Sequence, residues 1–64
     1  MDRKSLGVRI KAQRIKCGLS QEEFAEKLHC TSSHIGKVEN GKVGVSIELL
    51  VSIANELQTT VDQL

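Results

Sequence analysis

Residues 19–41, LSQEEFAEKLHCTSSHIGKVENG, decide the fold of this chain. Ser20-Gln21-Glu22-Glu23 is a capping box: the serine hydroxyl accepts from the third helical amide and Glu23 reaches back to the Ser20 amide. Leu19 is placed to staple onto Phe24, and Phe24, Ala25 and Leu28 form the apolar stripe of a short helix ending near His29. A second short helix opens at Thr31 or Ser32, buries Ile35 and Val38, and stops at Asn40-Gly41, a pair suited to turn conformations. Two short helices joined by so tight a turn make a helix-turn-helix, and Ala25 is small enough to let them cross closely. The outer face of the second helix carries only Ser32, Ser33, Gly36 and Lys37. A slim polar helix of this kind fits a DNA major groove about 12 Å wide.

Upstream, the spacing predicts a helix from Lys4 or Ser5 to about Cys17. Leu6, Ile10 and Cys17 lie near one face, with Arg14 among them, and Gly18 stands just past the end. Downstream, a loop over Lys42-Val43-Gly44-Val45 leads to Ser46, which caps a helix from Ile47 to about Leu57 with Leu50, Ile53, Ala54 and Leu57 on its core face. A final turn opens at Thr60, with Val61 and Leu64 apolar. Val43 to Val45 is the one strand candidate, and Gly44 interrupts it. The prediction is an all-α fold in which residues 1–64 form one domain.

Composition bounds the chemistry. A chain of 64 residues is short for a walled substrate cavity, since a domain near this size buries only about 60% of its unfolded surface. Phe24 is the lone aromatic, so the core is aliphatic. The net charge is +1, but residues 1–16 hold Arg3, Lys4, Arg9, Lys11, Arg14 and Lys16 against Asp2, while residues 21–27 hold Glu22, Glu23 and Glu26 against Lys27. This segregation permits a local positive face beside a near-neutral total. Neither a signal peptide nor an apolar run of about 18 residues is visible. Cys17 and Cys30 read as free thiols of a reducing, cytoplasmic protein. His29, Cys30 and His34 lack the spacing of a metal site, so no metal is expected. No nucleophile–base pair, phosphate loop or catalytic carboxylate pair is visible, and the chain does not read as an enzyme.

From about Leu6 to Leu64 the chain resembles the lambda-repressor-like family, the phage repressor and Cro type of helix-turn-helix regulator. The motifs that carry the likeness are Gly18-Leu19-Ser20-Gln21-Glu22, Glu39-Asn40-Gly41, Ser46-Ile47-Glu48-Leu49-Leu50 and Val61-Asp62-Gln63-Leu64. The resemblance implies a compact five-helix fold with helices two and three as the motif. It also implies a sequence-specific transcriptional regulator, usually a repressor, that binds double-stranded operator DNA as a homodimer without a cofactor or small-molecule ligand. By the same resemblance Ser32, Ser33 and Lys37 are base-contacting, and Gln21, Thr31, Asn40 and Lys42 contact phosphates. Arg14 and Glu39 match a pair that tethers helix one to the end of the recognition helix.

Several positions depart from the family pattern. Gly36 lies inside the recognition helix, where it either admits DNA closely or loosens the helix. His29 occupies a turn position usually held by glycine, and histidine is among the residues most tolerant of positive φ. The loop before helix four has no proline, which leaves Val43 to Val45 freer. Leu49 and Val51 are apolar where relatives are often polar, which marks a dimer or partner surface. The recognition helix has no Gln, Asn or Arg before Asn40, so shape readout gains weight over direct readout. The competing reading is the same fold used for protein–protein interaction, as an antitoxin or accessory protein.

Overall fold

The computed structural model describes residues 2–64. Four α-helices follow in order, α1 (Arg3–Lys16), α2 (Gln21–Lys27), α3 (Ser32–Glu39) and α4 (Ile47–Glu56), then a 3₁₀ turn at Val61–Gln63. The expected fifth helix is thus this single turn. Its Thr60 cap makes no side-chain hydrogen bond. Among the described residues there is no strand: Val43 and Val45 pack half-buried against the core on either side of Gly44 instead.

Caps set the boundaries. Helix α1 begins one residue before the expected start, because Asp2 accepts from the Ser5 amide at 2.8 Å and from the Ser5 hydroxyl at 3.0 Å. The Ser20 capping box of α2 forms in full, with both bonds at 2.9–3.0 Å. Thr31 caps α3 through the His34 amide and Ser46 caps α4 through the Leu49 amide, each at 3.1 Å. Gly18 and Gly41 take positive φ of 75° and 72° at the ends of α1 and α3, where glycine bears no Cβ penalty.

The core is aliphatic around Phe24: Leu6, Ile10, Ala25, Ile35, Val38, Ile53, Ala54, Leu57 and Leu64 are buried with it. Leu50, expected on the core face of α4, is only half-buried. Cys17 was expected on the inner face of α1 and is instead exposed. It lies one residue past the helix end, where the chain turns at Gly18. The inner position that the pattern passed over is Gly7. A Cβ there would stand 2.5 Å from the Val38 carbonyl oxygen, so α1 and the end of α3 meet backbone to backbone.

Candidate nucleic-acid interface

Helix α3 presents two faces. Ile35, Val38 and Glu39 are buried against the rest of the domain. Thr31, Ser32, Ser33 and Lys37 are exposed, with Gly36 and His34 half-buried between them. Ser33 and Lys37 are four residues apart and so share one side of the helix. Among the described residues neither serine hydroxyl nor the Lys37 ammonium is engaged by another side chain. The Thr31 hydroxyl oxygen accepts from the His34 amide, which leaves its own proton to donate outward.

The loop after α3 turns at once. The Gly41 amide donates to Val38 at 3.1 Å and the Lys42 amide donates to Lys37 at 2.9 Å. Asn40 and Lys42 are exposed beside this turn, with their side chains free of other described groups.

Beneath the face lies a buried charge network. Arg14 Nε donates to Glu39 at 2.6 Å and Nη2 donates to the second carboxylate oxygen at 3.2 Å. Arg14 Nη1 donates to the Leu19 carbonyl at 2.7 Å. One guanidinium therefore joins α1, the residue that leads into α2, and the last turn of α3. Gln21 enters the same network, because its Nε2 donates to Glu39 Oε1 at 2.9 Å. No spacing rule points to this Gln21–Glu39 bond, which joins residues brought together only by the tertiary fold. An amide nitrogen has two protons, so the second is free for a phosphate oxygen.

The basic N-terminal segment is spent unevenly. Arg14 is buried in the ion pair, and Arg9 donates to the Leu64 carbonyl at 3.0 Å. Among the described residues Arg3, Lys4, Lys11 and Lys16 are thus the cations of α1 without a side-chain partner, fewer than composition suggests. On α4, Leu49 is half-buried against the core, whereas Val51 is 44% exposed and Ile47 is 77% exposed. Sequence reading passed over Ile47, although it stands one helical turn from Val51. Among the described residues no group of three or more His, Cys, Asp or Glu side chains is placed to hold a metal ion. No described helix is long and apolar enough to cross a membrane.

A capped α2, a tight turn, and an α3 pinned on one side and polar on the other define a helix-turn-helix domain. The family model described as helix-turn-helix matches residues 10–64. The chain belongs to this family, of the lambda-repressor-like type. It is similar to the restriction-modification controller protein C.AhdI from Aeromonas hydrophila, at 31% identity and a TM-score of 0.90 over 97% of this chain and 90% of that one. It is similar to the clp gene regulator ClgR from Corynebacterium glutamicum, at 30% identity and a TM-score of 0.90 over 94% of this chain, and spans 64% of that regulator. The master regulator for biofilm formation SinR, solved in complex with DNA, is 33% identical with a TM-score of 0.81 over 89% of this chain and 92% of that one.

Proposed function

We propose that this domain is a sequence-specific transcriptional regulator that inserts α3 into the major groove of double-stranded operator DNA. The observation that carries this reading is the division of α3 into a buried apolar face and an exposed face of Ser32, Ser33, Gly36 and Lys37. Serine donates or accepts with several bases and Lys37 bonds the acceptors of guanine, so base readout rests on these three side chains. Gln21, Thr31, Asn40 and Lys42 flank the helix and take phosphates, which fixes its register. The Arg14–Glu39–Gln21 network holds α3 at its working angle. Family membership supports the same reading, since a relative similar over most of its length is solved with DNA.

The regulator acts in the cytoplasm as a homodimer, most simply a repressor. The exposed Val51 and Ile47 of α4, with the outer part of Leu49, form the surface between copies. The same surface is what a partner protein would cover if the domain served as an interaction module. Selection of bound duplexes from a random DNA pool, with the oligomeric state measured alongside, tests both points. A palindrome with half-site centres about 34 Å apart is expected, with affinity falling steeply as salt rises. Binding that is indifferent to salt and yields no consensus would sink the DNA reading and favour the interaction module.

A further inference from the structure

We infer that Arg3, seated on Gly44 at the N-terminal end of α1, is an additional DNA-backbone contact beyond the helix-turn-helix. The inference rests on the DNA-binding reading above and adds a second structural element to that interface.

Two close approaches bring the N-terminus of α1 to the loop that leaves α3. A Cβ on Gly41 would fall 2.7 Å from the Lys4 Cα, so the backbones of Lys4 and Gly41 touch. A Cβ on Gly44 would fall 3.1 Å from Arg3 Nη2 and 3.2 Å from Arg3 Nε, so the guanidinium lies directly over the Gly44 backbone. A Cβ at position 44 obliges the guanidinium to give by a few tenths of an ångström. The loop thereby gives an exposed, flexible side chain a defined seat.

Among the described residues the guanidinium in that seat has no side-chain partner. Among the described residues Arg14–Glu39 is the ion pair, and Arg3 donates to no described acceptor. The neighbouring acid, Asp2, is occupied by the Ser5 amide and hydroxyl. The Lys4 backbone meets Gly41 and Lys42 is the next residue of the loop, so exposed Arg3, Lys4 and Lys42 all spring from the region where the chain leaves α3. Phosphates spaced along the strand that passes Asn40 and Lys42 are the ligand this geometry suits, and arginine suits them through its planar donor fork.

The test measures binding of a mixed-sequence DNA duplex across a salt series for the unaltered chain, Arg3→Ala, Gly44→Ala, their double variant, Lys42→Ala and Lys16→Ala. Lys16 is the charge control, because it lies at the other end of α1, about 20 Å along the helix axis. Loss of one phosphate contact flattens the slope of log affinity against log salt by about 0.9. Arg3→Ala is expected to do this, which makes its affinity about 3.5-fold less sensitive to a fourfold rise in salt. Gly44→Ala keeps every charge and shifts the guanidinium by only a few tenths of an ångström, so it is expected to weaken binding less than Arg3→Ala, with no further effect once Arg3 is absent. Lys16→Ala is expected to leave the slope unchanged. Equal slopes for Arg3→Ala and the unaltered chain, with Lys42→Ala flattened, would overturn the Arg3 contact and leave the DNA reading standing. Equal effects of Arg3→Ala and Lys16→Ala would also overturn it, since net charge alone would then be at work. A flat salt response in every protein, the unaltered chain included, would remove the DNA reading itself.

Discussion

Arg14 and Glu39 stand 25 residues apart in the chain and meet through two hydrogen bonds in the interior. Their side chains are only 8% and 1% exposed. Truncating Arg14 strands a buried carboxylate, a loss of about 3–5 kcal/mol, while a domain of this size has roughly 3–10 kcal/mol in total. Arg14→Ala is therefore expected to lose a large share of that stability and to melt far below the unaltered chain, as read by thermal denaturation. Replacing both partners with apolar residues of similar volume, Arg14→Met with Glu39→Leu, is expected to melt well above the single variant. A double variant no more stable than Arg14→Ala would mean the pair contributes more than mutual neutralisation.

Gly36 separates the cost of a flexible recognition helix from its use. The nearest group to a Cβ there is Gln21 Nε2 at 4.0 Å, an ordinary contact. Gly36→Ala should therefore stabilise the domain by about 1 kcal/mol, raising Tm by about 4–8 °C. If DNA affinity falls while stability rises, the missing Cβ serves close approach of α3 to the groove. Lys37→Ala with Ser33→Ala is the complementary probe: helical content should be retained in circular dichroism, and preference for the selected operator lost. Operator binding that survives unchanged would mean the outer face of α3 has been misassigned.

His29 has a φ of 58°, in the left-handed region. The turn position that the resemblance assigns to glycine thus has a positive φ in this chain. His29→Gly relieves a strain of about 1 kcal/mol and should raise the melting temperature without altering DNA binding. A lower melting temperature would show that the histidine side chain stabilises the turn by more than its backbone costs.

The caps give the fold an acid limit. The Ser20 amide and hydroxyl hold the Glu23 carboxyl below the usual glutamate range, and the Ser5 amide and hydroxyl do the same for Asp2. A carboxylate with a depressed folded pKa contributes stability that is present above its unfolded value and lost as pH falls through the folded one. Melting temperature should therefore hold level above about pH 5 and decline below about pH 4. Glu23→Gln should be less stable at neutral pH, with a shallower acid decline. An unchanged acid profile would mean that other carboxylates set the limit.

Much of this architecture was legible because its signals are local. The Ser20 box, the Thr31 and Ser46 caps and the Gly18 and Gly41 stops lie within a few residues of what they govern. Ile35 and Val38 disclosed their burial through helical spacing. What escaped reading depends on contacts between segments. Cys17 fits the apolar stripe of α1 by periodicity, yet the helix ends before it. Gly7 carries no hydropathy signal and proves to be where α1 meets the end of α3 backbone to backbone. The hold of Gln21 on Glu39 and the seat of Arg3 on Gly44 have no local spacing at all. Ile47 reads as one more aliphatic residue of α4 until the fold turns it outward.

The approach at Gly7 bears on how a signal reaches this domain. Where backbones touch, no side chain can act as a compressible spacer, and the tilt of α3 follows that of α1. The domain then meets its target as one stiff reading head. In the proposed dimer, control over it falls to whatever decides how far apart two such heads are held, or whether the reading surface is left uncovered.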